Sequence, residues 1–130
     1  MKNTRPLSIF VVENHPDTLR FLKFYLVQNG HQVETATSLK QAMEMIPQLH
    51  FDVLISDIGL PDGDGWELMR ELHDHKNVFG IAMSGFGKEA DRRQSLEAGF
   101  RHHMLKPFLP EELDALLATA ASERDKLVQA

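Results

Sequence analysis

Three features are missing from this chain of 130 residues, and each absence excludes a class of protein. Because there is no cysteine, the fold has no disulfide bonds and no thiolate metal site, and a reducing compartment is compatible. The N-terminal residues MKNTRPLSIF lack the apolar core of a signal peptide. No apolar run approaches the length of a transmembrane helix. We therefore expect a cytoplasmic protein.

Basic residues are also scarce. The 14 Lys and Arg against 19 Asp and Glu give a net charge of −5. This balance argues against direct binding to nucleic acid, because phosphate contacts need clustered cations. Apolar residues make up 42% of the chain and charged residues 25%, which is typical of a globular fold. We expect one domain over residues 1–130, with a core from about residue 7 to about residue 120 and a polar C-terminal tail that frays.

Strand-like apolar runs alternate with helical patterns five times along the chain. Pro16 suits the first turn of the first helix, and Ser38 with Gln41 forms a capping box at the start of the second. Pro47 is expected to stop that second helix. The predicted strands are 7–12, 31–36, 53–55, 78–83 and 102–105, and the predicted helices are 16–29, 38–46, 66–75, 88–98 and one from about 110.

This alternation predicts an α/β fold. Strands that alternate with helices form parallel sheets through right-handed crossovers, with helices on both faces. We predict a doubly wound, five-stranded parallel sheet in the order 2-1-3-4-5, a flavodoxin-like arrangement. Its switch point would lie between the first and third strands.

Asp57 ends the central apolar run in FDVLISDIGLPDGDG, and two interpretations of it are open. Asp often caps a turn, yet a carboxylate at the C-terminal end of a buried strand also lies at the edge where open α/β sheets bind ligands. Asp62 and Asp64 in the same stretch resemble part of a calcium loop. The remaining ligands of such a loop are missing, so these two residues predict a turn.

Polar residues also end three other predicted strands. Glu13 and Asn14 follow the first strand, Ser84 follows the fourth and Lys106 the fifth. Because parallel strands end at one edge of the sheet, we expect these side chains to meet at Asp57. Clustered oxygens favour Mg²⁺, which would align a phosphoryl group for attack by Asp57. Lys106 would contact the phosphate, and Ser84 would donate a hydrogen bond to it.

The stretches VVEN, ISDIGLPDGDG, MSGFG and LKPF together resemble the receiver domain of bacterial two-component response regulators. The resemblance covers residues 7–120 and implies a receiver fold. It implies that Asp57 is the phosphorylated aspartate, Ser84 the switch hydroxyl and Lys106 the paired lysine. The Gly59 carbonyl would match a backbone oxygen that helps to hold Mg²⁺.

The resemblance also implies partners. A sensor histidine kinase or a phosphotransfer domain would donate the phosphoryl group, and the chain would be a stand-alone receiver or one from a hybrid kinase. Phosphorylation would reshape the face of the fourth helix, fifth strand and fifth helix, which an unknown downstream protein would recognise. Such a domain assists its own phosphotransfer and dephosphorylation and is not a conventional turnover enzyme. The resemblance further implies a cis peptide bond before Pro107.

Two positions depart from the family pattern. The family usually carries two acidic residues after the first strand, whereas this chain has Glu13 and Asn14. An amide offers an oxygen without charge, so we expect weaker Mg²⁺ binding. His103 stands where the family usually has a Tyr or Phe whose ring moves inward on activation. It is either an exposed strand-end residue without a switching role or a switch whose response depends on pH.

Phe24 and Val27 lie on the face of the first helix opposite to Leu22, Tyr25 and Leu26. Two adjacent apolar side chains on an outer face suggest a docking surface. We expect the phosphoryl donor to dock there.

Two other functions compete with the phosphoacceptor hypothesis. A pseudo-receiver would act as an interaction module without phosphorylation, as Asn14 and His103 suggest. A flavodoxin-like cofactor enzyme would need a phosphate-cradling loop after the first strand, but VVENHPD contains no glycine. Loss of any response to a phosphate analogue would favour the pseudo-receiver.

Overall fold

The computed structural model describes residues 6–73, 77–85 and 89–129. Strands and helices alternate along these residues, except that three strands follow one another before the third α-helix. The strands are β1 (Ser8–Val12), β2 (Gln32–Ala36), β3 (Val53–Asp57), β4 (Gly59–Leu60), β5 (Gly63–Asp64), β6 (Phe79–Ser84) and β7 (His102–Leu105); the helices are α1 (Pro16–Gln28), α2 (Leu39–Met45), α3 (Gly65–His73), α4 (Glu89–Ala98) and α5 (Pro110–Gln129).

Five of these strands form one parallel sheet in the order β2-β1-β3-β6-β7. When only the strands of this sheet are counted, the order is 2-1-3-4-5, which confirms the predicted doubly wound fold. The short strands β4 and β5 pair antiparallel in the turn after β3. The sequence analysis predicted a turn there but not this small hairpin.

The sheet is buried on both faces, as expected for parallel strands that alternate with helices. Side chains such as Ile9 and Ile55 pack with α1 and α5, whereas Phe10 and Leu54 pack with α2, α3 and α4. Neighbouring residues of one strand therefore enter different halves of the core. This double burial explains why the strands read as continuous apolar runs.

The start of α2 shows the predicted capping box in a modified form. The Gln41 backbone N–H donates to Ser38 Oγ at 3.1 Å. The Gln41 side chain reaches one residue further back than in the standard box, because its Oε1 accepts from the Thr37 N–H at 2.8 Å. Pro47 ends the α-helix but continues the chain as a short 3₁₀ helix, Ile46–Gln48.

The polar C-terminal tail is helical through Gln129, so the prediction that it frays after about residue 120 is wrong. Ion pairs hold this part of α5 against the sheet. Arg124 donates to the Pro6 carbonyl at 2.7 Å and lies 3.3 Å from an Asp52 oxygen. Arg101 pairs with Glu123 through its two terminal guanidinium nitrogens. These contacts join residues far apart in sequence, which helical periodicity does not reveal.

Two predicted helix ends cannot be compared. The sequence predicts that the third helix reaches His75 and that the fourth begins at Lys88, and both positions lie outside the described residues. Within the described part of the chain, no helix has both the length and the apolar character needed to cross a lipid bilayer.

His31 is a buried, titratable residue just before β2, with 6% of its surface exposed. Its Nδ1 accepts a hydrogen bond from the Leu7 backbone N–H at 3.0 Å, so this nitrogen carries no proton. Burial lowers the pKa of His31, and Arg124 lowers it further, against the opposing effect of Asp114.

The buried His31 predicts a stability that falls with acid. Its folded pKa lies below the unfolded value of about 6.5, so the unfolded chain binds the proton first. The contribution of His31 is therefore complete above about pH 6.5 and is lost as the pH falls below that value. Urea unfolding at about pH 7.5 and about pH 5.5 should show this loss.

His31→Asn is the matched variant, since its Oδ1 can accept from the same N–H but does not titrate. We expect the drop in the free energy of unfolding between the two pH values to shrink in this variant. An equal drop in both proteins would contradict the assignment.

Candidate functional site

The four predicted strand ends meet at one edge of the sheet. Glu13 directly follows β1, Asp57 is the last residue of β3, Ser84 is the last residue of β6, and Lys106 directly follows β7. The sheet register places Asp57 beside Met83 and Ser84 beside Leu105. The peptide bond between Lys106 and Pro107 is cis, as the family resemblance implies.

The Lys106 ammonium lies between the carboxylates of Glu13 and Asp57. Its Nζ is 2.7 Å from Glu13 Oε1 and 2.7 Å from Asp57 Oδ2. The Glu13 side chain is fully buried, and only 9% of the Asp57 side chain is exposed. At such depth a carboxylate is stable only with a charged partner. Lys106 serves both carboxylates at once.

Glu13 is held from both sides. Its Oε2 accepts from the backbone N–H of His15 at 2.9 Å and lies 2.9 Å from His15 Nδ1. Burial alone would raise the pKa of the Glu13 carboxyl, but the Lys106 ammonium and the two His15 nitrogens outweigh it and lower that pKa. Glu13 is therefore ionised at neutral pH.

Lys106 is correspondingly fixed as a cation. Burial would lower the pKa of its ammonium, but the close contacts with the Asp57 and Glu13 carboxylates outweigh burial and raise that pKa. Two formal negative charges thus face one positive charge. The edge of the sheet keeps a surplus of negative charge.

The turn after β3 fixes the other oxygen of Asp57. The Gly59 backbone N–H donates to Asp57 Oδ1 at 2.9 Å. The start of α3 lies directly against this strand end, and a Cβ on Gly65 would come within 2.5 Å of the Asp57 backbone oxygen. Only glycine permits that approach. Asp62 and Asp64 lie in the predicted turn, and both accept from helix N-termini: Asp62 from the first N–H groups of α2 and Asp64 from the Glu67 N–H in α3.

The carboxylate of Asp57 opens into a pocket of about 630 Å³. Ser84, Lys106 and Trp66 line this pocket together with His15. The pocket is open to solvent and is larger than a phosphoryl group. Trp66 is the only tryptophan of the chain, so its fluorescence reports on this pocket.

The residues at this edge fit a divalent cation. One ligand atom each from Glu13, His15 and Asp57 lie within 4.8 Å of one another. Glu13 Oε1 is buried and has no hydrogen bond of acceptable geometry among the described residues, so its 2.7 Å contact with Lys106 is an ion pair only. A buried carboxylate oxygen with spare capacity, in a site with surplus negative charge, suits a hard cation.

His15 belongs to this cluster, although the sequence analysis gave it no role. Its position two residues after Glu13, in the same loop, was the available signal. Asn14, between Glu13 and His15, is exposed to solvent, and its role as a metal ligand stays a prediction. Glu13 and Asn14 are thus successive residues with different surroundings, since Glu13 is buried and Asn14 is exposed.

His103 is not the exposed strand-end residue that one interpretation predicts. It is partly buried, and both ring nitrogens have partners. Its Nε2 lies 2.8 Å from Ser84 Oγ, and its Nδ1 lies 2.9 Å from Ser95 Oγ in α4. The ring of His103 is thus in direct contact with the hydroxyl at the end of β6.

Helix α1 exposes apolar side chains, two of them at the predicted positions. Phe24 is 65% exposed and Val27 is 52% exposed, whereas Leu22 and Leu26 are buried. Phe21, also exposed, extends the same surface and stacks on Tyr25 with ring centroids 5.7 Å apart. We call Phe21, Phe24 and Val27 the α1 surface.

Comparisons with known proteins agree on one family. A family model described as the response regulator receiver domain matches residues 9–118. An uncharacterized 14.6 kDa protein of Leptolyngbya boryana is 33% identical over 120 residues, which cover 90% of this chain and 92% of that protein. The KDP operon transcriptional regulatory protein KdpE of Escherichia coli is 34% identical over 113 residues, 87% of this chain but 50% of KdpE. The chain thus spans about half the length of this regulator.

Solved structures show the same fold. A CheY-like receiver domain protein of Methanospirillum hungatei has a TM-score of 0.87 and 26% identity over 94% of this chain and 98% of its own. The beryllofluoride-activated receiver domain of Klebsiella pneumoniae RstA has a TM-score of 0.82 and 26% identity, covering 88% of this chain and 97% of its own. The strand order, the cluster of strand-end residues and the family match coincide, and the chain belongs to the response regulator receiver domain family.

Proposed function

We propose that this receiver accepts a phosphoryl group on Asp57 and, in response, changes the face formed by α4, β7 and α5. The observation that supports the proposal most is the Lys106 ammonium between the Glu13 and Asp57 carboxylates, at the base of an open pocket. This arrangement presents a nucleophilic oxygen beside a fixed cation. It is the pairing that phosphoryl transfer to a carboxylate requires.

The proposed step transfers a phosphoryl group from a phosphohistidine of the donor. An Asp57 oxygen forms a bond to phosphorus while the nitrogen–phosphorus bond breaks, and the leaving imidazole keeps the electron pair and takes up a proton. Lys106 remains protonated and faces the charge that develops on the phosphoryl oxygens. Ser84, in the same pocket, donates a hydrogen bond to one of them.

We propose that Mg²⁺ is held by Glu13, Asp57 and the Gly59 carbonyl, with Asn14 as a weak fourth ligand. When bound, the ion supplies positive charge that neutralises the phosphoryl oxygens. Glu13 and Asp57 provide the hard oxygen ligands that Mg²⁺ prefers. Asn14 contributes no charge, and its exposure is consistent with a minor role.

Receiver domains partner with histidine kinases. For this chain we propose that a kinase or a phosphotransfer domain docks on the α1 surface, at Phe24 and Val27. Helix α1 begins at Pro16, directly after His15 and Glu13 of the site. A partner seated on this helix can therefore present a phosphohistidine to the Asp57 pocket.

The first test of the phosphoacceptor function uses beryllofluoride, a phosphoryl analogue, in saturating Mg²⁺. We expect the Trp66 fluorescence of the wild type to change and that of Asp57→Ala to stay constant. Acetyl phosphate should add the mass of one phosphoryl group to the wild type only. Asp17→Ala, which removes an exposed carboxylate of α1, is the matched control and should respond as the wild type does. If the wild type fails to respond, the chain is a pseudo-receiver that works without phosphorylation.

Magnesium titration tests the role of Asn14. Asn14→Asp adds a charged ligand beside Glu13, so we expect Mg²⁺ to bind roughly tenfold more tightly, ~1.4 kcal/mol. Trp66 fluorescence provides the measurement. Asn77→Asp adds the same charge before β6, at the opposite edge of the sheet, and should leave the affinity unchanged. Equal affinities in the wild type and Asn14→Asp would rule out Asn14 as a ligand position.

The α1 surface is tested by comparing two phosphoryl donors. Phe24→Ser should slow phosphorylation by a phosphohistidine-carrying phosphotransfer domain several-fold, because it removes an apolar contact. Acetyl phosphate needs no docking, so its reaction should keep the wild-type rate. Leu96→Ser removes a similarly exposed side chain of α4 and should affect neither donor. If Phe24→Ser slowed phosphorylation by both donors, Phe24 would be needed for the reaction itself or for folding, and a role in docking the donor would be excluded.

A further inference from the structure

His15 lines the Asp57 pocket and contacts Glu13. Its backbone N–H donates to Glu13 Oε2 at 2.9 Å, and its Nδ1 lies 2.9 Å from the same oxygen. The Glu13 side chain is fully buried, whereas 66% of the His15 side chain is exposed. The imidazole is therefore held beside a buried carboxylate and stays open to solvent. Phosphoryl transfer to Asp57, as proposed, requires no atom of this ring.

Three side chains that can ligate a metal ion meet here, two carboxylates and one imidazole. One ligand atom each from Glu13, Asp57 and His15 lie within 4.8 Å of one another. Two atoms bound to one ion are at most about 4.2 Å apart when each bond is about 2.1 Å long. The cluster must therefore contract by less than about 1 Å to close around an ion. The exposed ring of His15 can make this movement, because it is not packed in the core.

The environment of Glu13 independently favours a cation. Glu13 Oε1 is buried and makes no hydrogen bond among the described residues, so its contact with Lys106 is an ion pair only. Two carboxylates face this one ammonium, which leaves the edge of the sheet with surplus negative charge. Within residues 6–73, 77–85 and 89–129, no other three His, Asp or Glu side chains bring their ligand atoms this close together.

The donor atoms of this cluster distinguish between classes of ion. Mg²⁺ takes oxygen ligands and keeps several waters, so it gains little from an imidazole. Zn²⁺ binds carboxylate oxygen and imidazole nitrogen alike. The carboxylates of Glu13 and Asp57 can serve both ions, whereas the nitrogen of His15 adds affinity for Zn²⁺ alone.

We propose that His15 is a direct nitrogen ligand at this edge of the sheet and makes the site selective for Zn²⁺ over Mg²⁺. The inference rests on the proposed function, because it takes the proposed magnesium site as the place where the ion binds. In a mixture of the two ions, the ion that occupies the site next to Asp57 then depends on His15. Mg²⁺ is held by the oxygen ligands, with or without the imidazole.

A role of His15 in orienting Glu13 would have a different consequence. The 2.9 Å contact between His15 Nδ1 and Glu13 Oε2 could hold the carboxylate in place without any bond from the ring to the ion. Because Glu13 serves both ions, loss of this orientation would weaken Mg²⁺ and Zn²⁺ binding to the same extent. Loss of a nitrogen ligand weakens Zn²⁺ binding only. The ratio of the two affinities therefore separates ligation from orientation.

Separate titrations of the full chain with Mg²⁺ and Zn²⁺ measure this ratio. The amide of Gly59 is the NMR signal to follow, since it donates to Asp57 Oδ1 and reports this site even if Zn²⁺ also binds other histidines. His15→Gln keeps an N–H that can donate to Glu13 but offers no nitrogen lone pair. Loss of an outer-shell partner already costs about 10–100-fold in metal affinity, so we expect Zn²⁺ to bind at least about tenfold more weakly to His15→Gln. Its Mg²⁺ affinity should stay at the wild-type value.

His50→Gln is the matched control. His50 is exposed in the loop before β3, at the opposite edge of the sheet, so this variant should bind both ions as the wild type does. The ring nitrogens of His15 give the direct signal, because one of them should shift in nitrogen NMR with Zn²⁺ and neither with Mg²⁺. Equal weakening of both ions in His15→Gln, unchanged Zn²⁺ binding in that variant, or no shift of the His15 nitrogens would overturn the proposal.

The beryllofluoride response of Trp66 in Mg²⁺ tests the phosphoacceptor function separately. If the wild type responds but His15→Gln keeps the wild-type affinity for Zn²⁺, only the role of His15 is refuted. If the wild type fails to respond but loses Zn²⁺ selectivity in His15→Gln, the phosphoacceptor function is refuted and the nitrogen ligand is supported. Absence of any Gly59 shift with either ion would refute the metal site together with the selectivity.

Discussion

The ion pairs of Lys106 with Glu13 and Asp57 are the interaction on which this site depends. Two carboxylates at the end of a buried sheet repel one another, and a single ammonium between them makes their burial possible. These ion pairs join the ends of three strands: β3, which is the central strand of the sheet, and β1 and β7, which lie on opposite sides of it. Fold and site are therefore not separable, because the parallel arrangement of strands creates the charge cluster.

Hydrogen bonds also connect the strand end beside Asp57 with α4. Ser84 ends the strand beside β3, and its hydroxyl contacts His103, which in turn contacts Ser95 of α4. Each step is a short hydrogen bond between buried or partly buried groups. In this chain the connection is polar along its whole length.

Much of this could be predicted from the sequence, for identifiable reasons. Asp57, Ser84 and Lys106 each end an apolar run, and the topology of a parallel sheet alone brings strand ends together. The contacts of His15, in the loop after β1, and of Ser95, within α4, were missed because they arise from side-chain direction. The helical tail was missed because Arg124 and Glu123 are stabilised by residues more than 20 positions away. Asn14 is exposed in the loop after β1, and its place as a metal ligand stays a prediction.

The central claim is that Asp57 carries the phosphoryl group. The most direct measurement treats the protein with acetyl phosphate and Mg²⁺, reduces the acyl phosphate with borohydride, and locates the resulting homoserine by peptide mass spectrometry. The account predicts homoserine at position 57 and at no other carboxylate. Homoserine at a different position, or none at all under saturating Mg²⁺, would contradict it.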